Sequence, residues 1–244
     1  MFSYIIGLLA CVVFFYNPLM QMLSTSPPRL IRTSRPPLNH ELLALESPNE
    51  TSLCKPDAYR VHVFSREPLV LYIEDFLTPD ERQHLLEISA PIYEPSTITH
   101  DGGDSVHRDA TVRDSEVAVI PRTSTVRCIE DRARSVQGWR DEVWLERLRV
   151  QRYGPSGHYS HHFDWSRANG GWGRSDSRWC AFVDCPADGQ QGVVFRPLPG
   201  NAVYWENFRS DGSGRGFQET WHAGLPVVEG IKVGLNIWSW GRLD

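Results

Sequence analysis

Val150-Gln151-Arg152-Tyr153-Gly154-Pro155-Ser156-Gly157-His158-Tyr159-Ser160-His161-His162-Phe163-Asp164-Trp165 is the stretch on which the reading of this chain turns. It closes on a histidine and a carboxylate two residues apart. On an extended strand alternate side chains share a face, so His162 and Asp164 point one way while His161 and Phe163 point the other. A His-x-Asp pair alone is a weak signal, and His107-Arg108-Asp109 is a second example in the same chain. That second pair falls in 100–109, a polar, glycine-bearing stretch that reads as a mobile loop with no strand to aim it. Its expected place is over a substrate rather than on a metal.

Downstream, Thr220-Trp221-His222-Ala223-Gly224-Leu225-Pro226-Val227 supplies a further histidine, and Lys232 follows it ten residues on. Two neutral imidazoles and one carboxylate on one face of a metal leave positions open for other ligands, as in non-haem Fe(II) oxygenases and unlike closed structural sites. A zinc hydrolase would want a positioned general base, and the chain has no His-Glu-x-x-His.

On these residues the segment 69–240 resembles the Fe(II)- and 2-oxoglutarate-dependent prolyl 4-hydroxylase family, in the catalytic domain of its alpha subunit. The family's pattern is a tyrosine, His-x-Asp, a distal histidine and a lysine, and Tyr153, His162, Asp164, His222 and Lys232 match it in order and spacing. The resemblance implies a mainly β protein with flanking helices around a double-stranded β-helix, or jelly-roll, core. It implies that His162, Asp164 and His222 hold Fe(II), with 2-oxoglutarate and dioxygen as cosubstrates and ascorbate keeping the iron reduced. It further implies oxidative decarboxylation of 2-oxoglutarate to succinate, coupled to hydroxylation of peptidyl proline. Lys232 would meet the distal carboxylate of 2-oxoglutarate, because a lone inward-facing ammonium is costly unless an anion meets it. Tyr153 would add a neutral hydrogen bond near the cosubstrate, and Trp238 would line the pocket.

The likeness fails in the middle. The family's Arg-x-x-Thr-x-x-x-Tyr-Leu-Asn is replaced by Arg178-Trp179-Cys180-Ala181-Phe182-Val183-Asp184-Cys185, and its Gly-Gly-x-Thr-x-Phe-Pro by Gln191-Gly192-Val193-Val194-Phe195-Arg196-Pro197. Substrate choice is what these changes touch, together with the loops at 96–115 and 166–177. Two alternatives therefore stand: the same chemistry on another peptidyl residue or a small molecule, and a metal-binding jelly-roll module without turnover. The intact Lys232 speaks against the second.

The chain is 244 residues long and 41% hydrophobic, enough for one sizeable domain with an N-terminal appendage. Its net charge of -5, without a long basic run, argues against a nucleic-acid partner. Five cysteines, with no Cys-x-x-Cys, make neither a disulfide scaffold nor a zinc site. Cys54 and Cys128 are open to pairing in an oxidising compartment or to standing as separate thiols.

Residues 1–28 carry no charged side chain. A helix over 5–23 would be roughly 28 Å long, close to the ~30 Å thickness of a bilayer's hydrocarbon core. The segment 1–24 is therefore expected to be a transmembrane anchor, the rival being a cleaved signal peptide. A proline-rich linker follows over 25–56 and the catalytic domain over 57–244. Arg29, Arg32 and Arg35 favour a cytoplasmic domain by the positive-inside rule, while the sequon Asn49-Glu50-Thr51 and the family favour the lumen of the endoplasmic reticulum. The luminal placement is the expectation carried forward.

Within the domain, Thr78-Pro79-Asp80-Glu81 signals a helix N-terminus, with a cap, a proline at the first position and a capping-box acid. A second helix is expected over 125–138 from the spacing of Val126, Ile129, Ala133 and Val136. Strands are expected over 60–64, 69–73, 148–153, 158–164, 178–183, 193–195, 201–205, 222–223 and 232–238.

Overall fold

The computed structural model describes residues 38–39, 41–46, 54–99, 106–164, 183–184, 193–211 and 213–241. The expected anchor, most of the linker, Asn49, the segment 165–182 and the replaced motif residues Ala181 and Cys185 lie outside that set. No helix among the described residues is long and apolar enough to cross a membrane.

Among the described residues two α-helices form as their caps dictate. Helix α1 (Pro79–Ser89) begins with the full capping box, Thr78 Oγ1 accepting from the Glu81 amide and Glu81 Oε2 from the Thr78 amide. Helix α2 (Ser124–Val136) is capped by Thr123, whose hydroxyl accepts from the Val126 amide, so it starts one residue earlier than the apolar spacing indicates.

The strands run β1 (Arg60–Arg66), β2 (Leu69–Glu74), β3 (Glu94–Pro95), β4 (Ile98–Thr99), β5 (Val106–His107), β6 (Arg113–Asp114), β7 (Glu116–Val119), β8 (Val143–Leu145), β9 (Arg149–Tyr153), β10 (His158–His162), β11 (Val183–Asp184), β12 (Val194–Phe195), β13 (Ala202–Trp205), β14 (His222–Gly224), β15 (Lys232–Asn236) and β16 (Ser239–Gly241). Two sheets organise the domain, one ordered β15-β9-β7-β3 and the other β14-β10-β6, and every pairing within them is antiparallel. Successive strands change sheet: β6 leads to β7, β9 to β10 and β14 to β15. That alternation is the wrap of a jelly roll.

Strand β9 shows how one element serves two purposes. Val150 is 1% exposed and faces the helix side, where it joins Ala118, Ile120 and Leu148 against Val126, Ile129 and Ala133 of α2. Gln151 and Tyr153 point the other way, toward the second sheet. The core also takes in Ala44, while Leu43 bridges to Glu146. Both belong to the stretch read as linker, yet the compact unit begins at Asn39. Their signal was the short Leu42-Leu43-Ala44-Leu45 patch, too short to show a period.

The pair Cys54 and Cys128 forms a disulfide, tying the segment ahead of β1 to α2. The same junction holds a buried ionic cluster. Arg132 of α2, 7% exposed at its side chain, donates to Asp57, to both oxygens of Glu81 and to the Phe76 carbonyl. Thus the acid that closes the α1 capping box also anchors α2. Removing one partner of such a cluster strands the others away from water. Arg132→Met is expected to lower unfolding free energy by about 3 kcal/mol, read from the urea midpoint at constant slope. A loss below about 1 kcal/mol would show the cluster to be solvated.

Candidate metal centre

His162 ends β10 and His222 opens β14, and the two are register partners across the antiparallel pair. Cross-strand partners have neighbouring Cβ atoms, so the two imidazoles meet, with ring centroids 4.3 Å apart. Asp164 lies beyond the end of β10, not on it. The expected strand over 158–164 therefore stops short, and a register shift between Tyr159 and His162 distorts the ladder just before the His162–His222 pair. The carboxylate still reaches both rings: Oδ1 is 3.6 Å from His162 Nε2 and Oδ2 is 3.8 Å from His222 Nε2. One ligand atom from each of the three residues lies within 4.8 Å of the others.

The hydrogen bonds at the back of each ring decide what faces the centre. Nδ1 of His162 donates to the Ser160 carbonyl and Nδ1 of His222 to the Thr220 carbonyl, each at 2.8 Å. Both rings are thereby held with Nδ1 protonated, so that Nε2 presents a lone pair. Burial, reinforced by the neighbouring His222, pushes the His162 pKa down to about 4, which keeps the ring neutral. Burial pushes the Asp164 carboxyl up, against the opposing pull of His222 and Arg113. The centre thus gathers two imidazole nitrogens and a carboxylate, 3.6 and 3.8 Å apart and beyond hydrogen-bond distance. Such a set asks for a cation, and two imidazoles with one carboxylate fit Fe(II).

Aromatic rings wall the centre. Tyr159 stacks on His162 at 3.7 Å, the Arg113 guanidinium lies 4.6 Å from the Tyr159 ring, and Trp205 meets His222 edge-on at 4.9 Å. Arg113 and Tyr159 were not singled out in the sequence, because their roles depend on the β6-β10 register.

Lys232 and Tyr153 are partners across β15 and β9. The ammonium lies 5.2 Å from the Tyr153 ring centroid, and burial pulls its pKa below the usual lysine range. No carboxylate among the described residues forms an ion pair with it. The buried Tyr153 hydroxyl, its pKa raised by burial, donates to Gln151 Oε1 at 2.6 Å. It also reaches the opposite sheet, where a Cβ at Gly224 would lie 3.9 Å away. Trp238 stands apart from this group. Arg149, at the other end of β9 from Tyr153, lies over its ring at 5.1 Å.

The other His-x-Asp stays outside the centre. His107 is on an exposed two-residue ribbon, β5 paired with β4, and so does have a strand, contrary to the loop expected there. Asp109 is turned to the backbone and hydroxyl of Thr111.

No protein-family model matches the chain. Among characterised proteins it is 27% identical over 195 residues to prolyl 4-hydroxylase subunit alpha-1 of Caenorhabditis elegans, covering 73% of this chain and 34% of that one. The Gallus gallus subunit alpha-1 is 28% identical over 187 residues, covering 70% and 36%. The chain spans about a third of the length of these relatives. Solved structures similar to it include a viral collagen prolyl hydroxylase from Paramecium Bursaria Chlorella virus-1, in a 2OG complex, at 18% identity and a TM-score of 0.45, covering 70% of this chain and 94% of that one. A Pseudomonas putida prolyl-4-hydroxylase gives 15% identity and a TM-score of 0.42, covering 71% and 92%. Over about seven-tenths of its length the chain is a sequence relative of the prolyl 4-hydroxylase alpha subunits, at 27–28% identity.

Proposed function

We propose that the chain is an Fe(II)- and 2-oxoglutarate-dependent dioxygenase that hydroxylates peptidyl proline. The observation that carries this reading is the convergence of one ligand atom each from His162, Asp164 and His222 within 4.8 Å, with both Nδ1 atoms bonded to backbone carbonyls from behind. The proline substrate is supported by what the sequence relatives are called, and by nothing finer.

In this reading each residue has one task. His162 and His222 bind the iron through Nε2, and Asp164 supplies the anionic ligand. Lys232 receives the distal carboxylate of 2-oxoglutarate, which explains an ammonium left without an acid in a half-buried place. Tyr159 and Trp205 hold the imidazole planes and keep water off the metal-facing atoms. The bound iron and cosubstrate supply the oxidising chemistry, and the protein positions the target carbon.

We also place the domain in the lumen of the endoplasmic reticulum behind an anchor at 1–24. This is supported by the uncharged run at 1–28 and by the disulfide, which belongs to an oxidising compartment. In sealed microsomes the domain should resist protease until detergent is added, and digestion without detergent would reverse the placement.

Two measurements test the chemistry. His162→Ala, Asp164→Ala and His222→Ala should each abolish Fe(II) retention through dialysis, whereas His107→Ala should retain it. Purified protein with Fe(II), 2-oxoglutarate and a proline-rich peptide should release succinate. Lys232→Ala should raise the apparent Michaelis constant for 2-oxoglutarate roughly 100-fold, the effect of breaking a buried pair, with iron binding kept. Lys232→Arg should fall between, because a forked guanidinium is larger than the ammonium it replaces. An unchanged constant in Lys232→Ala would remove the cosubstrate assignment.

A further inference from the structure

We infer that the side-chain amide of Gln151 is a second donor to the distal carboxylate of the cosubstrate, beside Lys232. The inference rests on the cosubstrate reading of Lys232 given above and adds a residue that the motif does not contain.

Gln151 is 3% exposed and lies two residues before Tyr153 on the same face of β9. Its Oε1 accepts from the Tyr153 hydroxyl at 2.6 Å, which turns the nitrogen end of the amide away from that hydroxyl. Among the described residues this buried Nε2 has no hydrogen-bond partner. Because the Tyr153 hydroxyl reaches Gly224 of the opposite sheet, the amide bonded to it lies between the two sheets.

Register places this unmet donor beside the unmet cation. Lys232 pairs with Tyr153 and Gly234 pairs with Gln151, so Lys232 and Gln151 are diagonal neighbours on one face, a separation that long side chains bridge. Gly234 matters for what it lacks. A Cβ there would meet nothing within 4 Å, so the strand opposite Gln151 leaves room. An ammonium and an amide N–H flanking open space match the two oxygens of one carboxylate, and a buried donor left unmet is costly. Tyr153, hydrogen-bonded to Gln151, is then a positioning residue for the amide.

The test uses the full chain loaded with Mn(II) and reads binding by calorimetry with two probes. These are 2-oxoglutarate, and oxalate, which chelates the metal but has no distal carboxylate. Gln151→Met keeps the volume and removes the donor. It should weaken 2-oxoglutarate roughly tenfold or more, the worth of a hydrogen bond to a charged group, and leave oxalate unchanged. Gln151→Glu places an internal carboxylate beside Lys232. It should abolish 2-oxoglutarate binding at concentrations that saturate the wild type, again sparing oxalate. Tyr153→Phe should give a smaller, equally selective loss. If both Gln151 variants bind 2-oxoglutarate as the wild type does while Lys232→Ala does not, the inference fails and the cosubstrate reading stands. If Lys232→Ala also binds normally, both fall. Loss of oxalate together with 2-oxoglutarate in Gln151→Met would mean a structural role and would overturn the inference as well.

Discussion

The antiparallel register of β10 on β14 is the constraint on which the site depends. It sets His162 opposite His222, and the carbonyls of Ser160 and Thr220, each two residues back on its own chain, turn both rings the same way. A slip of one residue would send one imidazole to the far face of the sheet. The connections that prevent the slip are the ones that carry the chain between sheets. Gly154-Pro155-Ser156-Gly157 links β9 to β10, and 225–231 links β14 to β15. The two loops are bonded to each other, the Ser156 amide to the Val227 carbonyl at 2.8 Å and the Val227 amide to the Gly157 carbonyl at 3.1 Å. A Cβ at Gly157 would come within 2.8 Å of the Gly154 carbonyl, so the turn tolerates no side chain there.

This accounts physically for the spacing of the motif. Tyr153 to His162 is one crossing between sheets, and His222 to Lys232 is another. Each crossing has one end at the lone-pair cluster and the other at the Lys232-Tyr153 pair, which are themselves register partners. The nine- and ten-residue intervals are therefore the length of strand and loop needed to pass from one sheet to the other and pair at both ends.

What the sequence showed and what it concealed divide along the same line. Local chemistry was legible: the capping box at Thr78, the apolar face of α2, and the His-x-Asp with its distal partners. Features that depend on pairing between distant strands were not. Alternation along a strand is the argument that joined His162 to Asp164, yet Asp164 lies past the strand's end and arrives by a bend. Leu43 and Ala44 looked like linker because their burial is provided by residues a hundred positions away. The pairing of Cys54 with Cys128 likewise needed the third dimension, since nothing in their spacing chose between a bond and two thiols. Gln151 carries no local signal, because its meaning lies in the Tyr153 hydroxyl bonded to it and in the glycine opposite.

The interior between the sheets is left incomplete in two opposite senses. Among the described residues, His162, Asp164 and His222 turn acceptors on one another at more than hydrogen-bond distance, while Lys232 has no carboxylate partner and Gln151 Nε2 no acceptor. Each half is unfavourable alone, since half-buried lone pairs repel and a half-buried cation lacks its counter-charge. The helix side of the same strand compensates: Val150, Ala118 and Ile120 pack against Val126 and Ile129, all 1% exposed or less. Because alternation sends Val150 to one face and Gln151 to the other, the strand can be stabilised on one side and strained on the other. A cation for the first half and a dicarboxylate for the second would relieve both. A 2-oxo acid that chelates the cation while its far carboxylate reaches the lysine would do so as a single ligand, because the jelly-roll wrap holds the two halves one crossing apart.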